Sequence, residues 1–267
     1  MAVDHYENFP VASVLLPPRL RRPVALIYRF AREADDFADE GDFESAARLQ
    51  KLDHFRENLL RLEHGAQPEI PWFSDLGAAI AQHGLPYQPF HDLLSAFSQD
   101  VTQTRYASYE QVLDYCQRSA NPVGRLLLAL YEAAERTHIA WSDAICTSLQ
   151  LINFLQDVAI DYRKGRIYLP QDELLRFGLS EHDIAHGNAG ARWERFMAFQ
   201  VERARSLLYS GAPLGRALGG RIGLELRMVI AGGSRILDKI EHVRGDVFRA
   251  RPVLRTFDWP LMMWRSF

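Results

Sequence analysis

Cysteine is scarce in this 267-residue sequence, which contains only Cys116 and Cys146. The two residues lack the close spacing of a thiolate metal site, so the sequence excludes metal-binding classes built on cysteine. Both fall in apolar stretches, where a thiol is most often buried. We therefore expect a buried, reduced pair in a cytoplasmic protein.

Long hydrophobic runs are also missing. No stretch reaches the ~18 consecutive apolar residues of a spanning helix, and the start MAVDHYENFPVAS lacks the pattern of a signal peptide. A formal net charge of −3 gives no positive field that would attract nucleic acid. We expect a cytoplasmic protein without a nucleic-acid partner. The C-terminal WPLMMWRSF, with two tryptophans beside Arg265, is expected to pack on the domain, and a weak contact with the inner face of the membrane is the alternative.

Alternating strand patterns are absent as well, whereas apolar residues recur at intervals of three and four along most of the chain. Pro23 is placed in the first turn of the first helix and Gly41 at its end. Short connectors rich in Pro and Gly separate the predicted helices, and none is long enough to divide the chain. The prediction is one all-α domain over residues 1–267, with helices at 20–40, 43–64, 74–84, 88–104, 108–119, 122–137, 141–163, 190–210 and 216–244.

Within the stretch AREADDFADE, residues 31–40, four acids crowd into six residues near the end of the first predicted helix: Asp35, Asp36, Asp39 and Glu40. The helix macrodipole is negative at that end, so acids there are unfavourable. Arg29 and Arg32 share a helical face with Asp36 and Asp39. An ion pair between Arg32 and Asp36, four residues apart, with the other acids solvated, is the simplest interpretation of this cluster alone.

A second acidic pair ends a helix that is almost wholly apolar from Ala144 to Ile160, a composition typical of a buried central helix. Its polar residues recur at intervals of three and four and form a stripe roughly 16 Å long. The stripe consists of Gln150, Asn153, Asp157 and Asp161, and Gln156 is a further polar exception on this helix. Buried carboxylates need partners, and the acids again lie at the unfavourable end of the helix. Two such clusters indicate a shared cationic partner.

Divalent cations meet this requirement, because several carboxylate oxygens are what Mg²⁺ binds, and Mg²⁺ usually bridges carboxylates to substrate phosphates. Arg163 and Lys164, in the RKGR run after the second cluster, suit a diphosphate. We predict a site for Mg²⁺, with Mn²⁺ as the alternative. The predicted ligands are Asp35, Asp36, Asp39, Asp157 and Asp161.

The acid-rich stretches YRFAREADDFAD and LQLINFLQDVAIDYRKGRIYLP resemble the two motifs of the squalene and phytoene synthase family. FSQDVTQTRY and YCQRSANPVG resemble its mid-chain region and its pocket helix, so the resemblance covers nearly the whole chain. It implies an isoprenoid synthase fold, in which two Asp-rich helices face each other across a deep apolar pocket.

The resemblance also implies roles for individual residues. Asp36 and Asp157, within the two metal motifs, are assigned to catalysis. Tyr115, in DYCQRSA, matches a pocket tyrosine credited with acid–base or cation-steering roles, and a packed tyrosine with a bonded hydroxyl is the alternative. Arg105 and Tyr106 match an RY pair on the diphosphate side of the family's site. Together with basic and amide residues near the acid motifs, they complete the predicted substrate-binding set: Arg29, Arg32, Arg105, Tyr106, Asn121, Asn153, Gln156, Arg163 and Lys164.

Within the family, the resemblance is to the hydroxysqualene synthase branch of the bacterial hopanoid pathway, carried by ENFPVAS, SANPVG, NFLQDVAID and ILDKIE. The chain departs from ordinary squalene and phytoene synthases at Glu7-Asn8-Phe9, at Asn121 and at Gln156, where Arg is usual. Neutral amides can hold a water without adding a charge.

The branch implies that presqualene diphosphate ionises and that water captures the rearranged cation, giving hydroxysqualene without NADPH. Handover of intermediates to other enzymes of the pathway is also expected. A complete squalene or phytoene synthase is one alternative. A non-catalytic assembly factor is another, although such a protein would be expected to lose metal-ligand acids, and this chain keeps all five.

Overall fold

The computed structural model describes residues 16–249 and 251–266, the last four as backbone only. Within these ranges the chain is helical, and its one β-type pairing is an isolated parallel bridge between Arg105 and Ile167. The helices are α1 (Pro18–Asp39), α2 (Ser45–Glu63), α3 (Phe73–His83), α4 (Gln88–Thr102), α5 (Tyr109–Ser119), α6 (Asn121–Leu130), α7 (Arg136–Arg163), α8 (Gln171–Arg176), α9 (Glu181–Ala185), α10 (Ala191–Gly211), α11 (Leu214–Ala217), α12 (Gly220–His242) and α13 (Trp259–Ser266), with a 3₁₀ turn at Thr256–Asp258.

The predicted all-α class is confirmed, and all nine predicted helices occur. Three local predictions are wrong. The helix predicted over 122–137 stops at Leu130, because the chain turns at Glu132 with a φ of +54°. The helix predicted over 216–244 is divided at Gly219, whose φ of +57° caps α12. Pro23 lies inside α1 instead of in its first turn, because Pro18 already occupies the first turn.

The described chain forms two compact units. The N-terminal unit comprises Leu16–Thr104 and Asp114–Ile139, and the C-terminal unit comprises Arg105–Leu113 together with the residues from Ala140 onward. Helices α5 and α7 contribute residues to both. A single domain over residues 1–267 stays a prediction.

The N-terminal unit is built around an aromatic cluster. Phe30 of α1 is fully buried, and its ring centroid lies 5.7 Å from that of Phe55, 5.8 Å from that of Phe73 and 5.1 Å from that of Phe90. Burying such a ring stabilises the fold by about 1.5–3 kcal/mol. These contacts fix the apolar face of α1 against α2, α3 and α4, which leaves the face with the acidic residues partly accessible.

The C-terminal unit contains most of α7, whose apolar positions from Ile145 to Val158 are buried, as predicted. The four residues of its polar stripe are only half-buried: Gln150, Asn153, Asp157 and Asp161. The Ser148 hydroxyl of α7 donates to the Ala204 carbonyl of α10 at 2.7 Å. Helix α12 packs against α10, α11 and α13. The buried helix therefore presents one polar face from a fixed position.

Two further predictions concern residues that the structure describes. Cys116 and Cys146 are free and buried, as expected. Over residues 16–249 and 251–266, no helix is both long enough and apolar enough to span a bilayer. Asn8, in the ENFPVAS stretch, lies outside the described residues.

Candidate functional site

The first acid cluster, Asp35, Asp36 and Asp39, occupies the last turn of α1, as predicted. The helix ends at Asp39, and the Glu40 amide donates to the Asp36 carbonyl at 2.8 Å. Gly41 follows with a φ of +77°, a left-handed conformation that glycine adopts at little cost. The carboxylates are therefore held at the negative end of the helix dipole by well-defined backbone geometry.

Arg32 shares its charge between two acids of this cluster. Its Nη1 lies 3.4 Å from an Asp35 oxygen, and its Nη2 lies 2.9 Å from Asp36 Oδ1. The ion pair expected between Arg32 and Asp36 is thus present. However, Asp36 Oδ1 is buried and receives no well-aligned hydrogen bond. One guanidinium faces more carboxylate charge than it can satisfy.

The pKa of Asp35 shows the same imbalance. Burial, and next the neighbouring charge of Asp39, raise this pKa to about 7, and the opposing effect of Arg32 is smaller than that of Asp39. Asp100, on α4, adds to the rise. The side chain of Asp35 remains 37% exposed, so a small cation can reach it. A cluster that disfavours its own ionised form is suited to binding a divalent cation.

Tyr115 donates a hydrogen bond from its hydroxyl to Asp100 Oδ2 at 2.6 Å, and both residues are buried. The predicted catalytic tyrosine is therefore held by a carboxylate whose charge also reaches the first acid cluster. The sequence reasoning missed Asp100. A signal was available, because Asp100 lies on the buried face of α4, three residues after Phe97 and seven after Leu93.

The second acid cluster, Asp157 and Asp161, lies in the last two turns of α7. Arg251 donates hydrogen bonds to both carboxylate oxygens of Asp157, with Nη2 2.9 Å from Oδ2. Arg251 was also missed, because it lies 94 residues away along the chain and no local pattern marks it. The Arg251 guanidinium lies against the Asp157 carboxylate and neutralises its charge.

Gln156 is 2% exposed, and only one of the two polar atoms of its side-chain amide forms a hydrogen bond with the described residues. Its Nε2 donates to the Pro252 carbonyl at 2.6 Å, which fixes the orientation of the amide. Its Oε1 is buried and accepts no hydrogen bond from the described residues. A buried acceptor without a donor is uncommon. The Gln156 oxygen is therefore available to a small polar ligand such as water.

Two other predicted substrate-binding residues make contacts within the protein. Arg105 binds Glu181 through two nitrogens, at 3.0 and 2.5 Å, and donates to the Gly165 carbonyl at 2.6 Å. It thus anchors the turn that follows α7. Tyr106 is 1% exposed, and its ring stacks on Tyr168 with centroids 5.5 Å apart. Contact of both residues with substrate stays a prediction.

The remaining predicted residues differ in exposure. Arg29 pairs with Glu33 at 2.6 Å and lies 4.4 Å above the Trp72 ring. Asn121 is buried at the start of α6, and Asn153 is half-buried on the polar stripe of α7. Arg163 and Lys164 are exposed directly after Asp161. The basic pair is accessible to an anion there.

The donor sets fit a hard divalent cation. In the first acid cluster, Asp36 Oδ1 accepts no hydrogen bond from the described residues, and in the second, Asp157 is held by a guanidinium whose place a metal ion would take. Among the described residues, no group of three His, Cys, Asp or Glu side chains forms a complete site. Binding of Mg²⁺, which usually takes part of its coordination from substrate phosphates and water, stays a prediction.

Two helices of this all-α chain, α1 and α7, each end in an aspartate cluster. This arrangement defines the class of enzymes that process isoprenoid diphosphates. The family model described as squalene/phytoene synthase matches residues 2–258. The chain belongs to the squalene/phytoene synthase family.

Individual relatives agree with this assignment. The chain is 37% identical to a hydroxysqualene synthase of Rhodopseudomonas palustris over 88% of this chain and 80% of that protein. It is 32% identical to a phytoene synthase of Arthrospira platensis over 98% of this chain and 88% of that protein. The crystal structure of squalene synthase HpnC from Alicyclobacillus acidocaldarius superposes with a TM-score of 0.83 at 36% identity and covers 90% of both chains. The fold is the isoprenoid synthase fold.

Proposed function

We propose that this enzyme converts presqualene diphosphate and water into hydroxysqualene and diphosphate. The carbon–oxygen bond to the diphosphate breaks, and its electron pair leaves with the diphosphate. The cation rearranges, the oxygen of water forms the new bond, and a proton is released. No reductant is consumed, so NADPH is not required.

One observation carries the choice of product. Gln156 occupies the position where squalene and phytoene synthases usually have Arg, and its buried Oε1 lacks a hydrogen-bond donor. A neutral acceptor can hold a water through its O–H without adding a positive charge beside a carbocation. The Asn121 amide is proposed to act with it. The higher identity to a hydroxysqualene synthase than to a phytoene synthase supports the same choice.

The acid clusters serve the leaving group in this proposal. Mg²⁺, or Mn²⁺, held by Asp35, Asp36, Asp39, Asp157 and Asp161 would neutralise the diphosphate charge. Arg32, Arg163 and Lys164 add cationic hydrogen-bond donors for its oxygens.

Tyr115 retains its hydroxyl proton, because the phenol donates that proton to Asp100 at 2.6 Å. Its oxygen is thereby fixed in place beside the Asp100 carboxylate. We assign it to acid–base or cation-steering chemistry.

Two further proposals concern surroundings. The substrate and product are strongly apolar, so we propose a cytoplasmic enzyme that lies against the inner face of the membrane through its C-terminal segment. Hydroxysqualene must then be reduced by a further enzyme if it is to become a hydrocarbon, so handover to such an enzyme is proposed.

The test supplies presqualene diphosphate and Mg²⁺ to the purified protein in heavy-oxygen water, without NADPH. The expected product is hydroxysqualene carrying the label, identified by mass spectrometry. Squalene formed only with NADPH, or efficient product formation from farnesyl diphosphate alone, would instead identify a complete synthase that joins two prenyl diphosphates. Absence of turnover with either substrate would favour the non-catalytic alternative.

A further inference from the structure

A pocket of about 430 Å³ lies in the C-terminal unit, between the last turns of α12 and the segment that leads to α13. Its volume is in the range of small-ligand sites. It belongs to neither acid cluster, although Arg251 borders it. The lining consists of Arg235, Asp238, Lys239, His242, Val243, Arg251, Pro252, Val253, Arg255 and Phe257.

Cationic side chains dominate this lining. Its one carboxylate, Asp238, is held by Arg205 at 2.9 Å. Arg235 and Lys239 are fixed by the buried Asp258, at 2.7 and 2.6 Å. These ion pairs hold the two cations in a defined geometry, so the wall of the pocket is built before any ligand arrives.

Arg255 differs from the other cations of the lining. It is exposed and has no carboxylate within ion-pair distance among the residues that the structure describes. Its full charge is therefore offered to an anion. A phosphate oxygen is the natural partner for a guanidinium in such a position, because the two can form paired charge-assisted hydrogen bonds.

Exposed aromatic residues adjoin these cations. Phe257 is 65% exposed and Trp259 is 54% exposed, and the Lys239 ammonium lies 5.2 Å from the Phe257 ring centre. Met262 of α13 is buried against Gly232 of α12, so α13 is fixed to the unit while Trp259 points away from the core. Aromatic side chains beside basic ones are typical of surfaces that rest at the interface of an anionic bilayer.

We propose that this pocket binds the phosphate group of an anionic phospholipid while Phe257 and Trp259 enter the headgroup layer. The inference rests on the proposed membrane contact of the C-terminal segment and gives that contact a specific phosphate site. A free phosphate would use the cations and leave the two exposed rings without a role, so we assign the lipid as the occupant.

The test measures co-sedimentation of the full chain, without substrate, with vesicles of phosphatidylcholine alone or mixed with phosphatidylglycerol. The wild type is expected to prefer the anionic vesicles. Arg255→Gln should weaken that binding about five-fold, the usual effect of one basic residue at such a surface. The matched control is Arg216→Gln, since Arg216 is exposed on α11 and outside the pocket, and it should change binding less than about two-fold.

Phe257→Ser should weaken binding to both kinds of vesicle, since an exposed ring contributes to partitioning whatever the lipid charge. Equal losses from Arg255→Gln and Arg216→Gln would overturn the proposal, because the attraction would then depend on net charge alone. Thermal protection by inorganic phosphate without any vesicle preference would also overturn it, in favour of a soluble anion.

The proposed reaction is scored separately, by turnover of presqualene diphosphate in detergent. Turnover that persists while the vesicle preference is missing refutes the lipid site and leaves the proposed function standing. Vesicle preference without turnover supports the lipid site and counts against the proposed function.

Discussion

Arg251 donates hydrogen bonds to both carboxylate oxygens of Asp157, although the two residues are 94 positions apart in the chain. Asp157 is 22% exposed and Arg251 is 30% exposed, so the pair is partly shielded from water. A guanidinium and a divalent cation cannot occupy the same carboxylate oxygens. Arg251 would therefore compete with a metal ion for the carboxylate of Asp157.

Replacing Arg251 with Gln is expected to tighten Mn²⁺ binding in the absence of substrate. Removing a charge-assisted pair worth about 1.5 kcal/mol corresponds to about ten-fold in affinity. Electron paramagnetic resonance of free Mn²⁺ measures this directly. Arg249→Gln is the matched control, because Arg249 is exposed and pairs with Asp246 instead, at 3.2 Å. Unchanged affinity in Arg251→Gln would show that Asp157 does not bind the ion.

The two acid clusters are expected to be needed together. Asp36→Asn and Asp157→Asn should each lower turnover of presqualene diphosphate by about 100-fold or more, because neutralisation of a leaving diphosphate contributes several kcal/mol. Circular dichroism should remain helical in both. Asp53→Asn serves as the control, since Asp53 is an exposed acid of α2 that pairs with Arg56. Full Mg²⁺-dependent activity in either cluster variant would refute a shared role.

Tyr115→Phe is expected to lower the free energy of unfolding by about 1–2 kcal/mol, because the buried carboxylate of Asp100 loses a hydrogen-bond donor. Adding Asp100→Asn should recover part of the loss, since the charge is then gone. Denaturant unfolding of the two single variants and the double variant gives the coupling. Tyr87→Phe should cost less than about 0.5 kcal/mol, because Tyr87 is only half-buried and its hydroxyl forms no hydrogen bond with the residues that the structure describes. Strict additivity of Tyr115→Phe and Asp100→Asn would contradict the interaction.

Acid should weaken the anchor of the C-terminal segment. Burial alone would raise the pKa of Asp258, but hydrogen bonds from Lys239, Arg235 and the Arg255 amide lower it from 3.8 to about 2. A lowered folded-state pKa stabilises the protein above the unfolded pKa, and this stability is lost as the pH falls through the folded value. The contribution is about 2 kcal/mol.

Unfolding free energies measured between pH 6 and pH 2 test this expectation. The gap between the wild type and Asp258→Asn should be constant above about pH 4 and should shrink progressively below it. A gap that is independent of pH would mean that Asp258 titrates normally in the folded chain.

The placement of the acid clusters at two helix ends was predictable because acids at the negative end of a helix dipole conflict with local energetics, and such a conflict is visible in sequence. The half-buried stripe of α7 followed from spacing alone. Arg251 and Asp100 were not predictable in the same way. Arg251 acts through a contact of long sequence separation, and Asp100 is a single acid on an otherwise apolar face.

The fold was predictable where apolar spacing was regular. The prediction of helix ends failed where tertiary packing overrides local helix propensity. The run from Tyr131 to Glu135 contains good helix formers and no Gly or Pro, yet α6 ends before it and Glu132 adopts a positive φ. The opposite error occurred at Gly219. Regular spacing of apolar residues continued across it, although a paired glycine supplied the break.

The burial of both native thiols has a practical consequence for spectroscopy. Cys116 is fully buried and Cys146 is 4% exposed, and burial raises the pKa of the Cys116 thiol far above its ordinary range. Thiol-directed dyes and spin labels react with the thiolate, so neither native residue competes for the probe. A reactive cysteine introduced by Phe257→Cys would therefore take up a single reporter at the rim of the basic pocket. The two native cysteines could stay in place without being labelled.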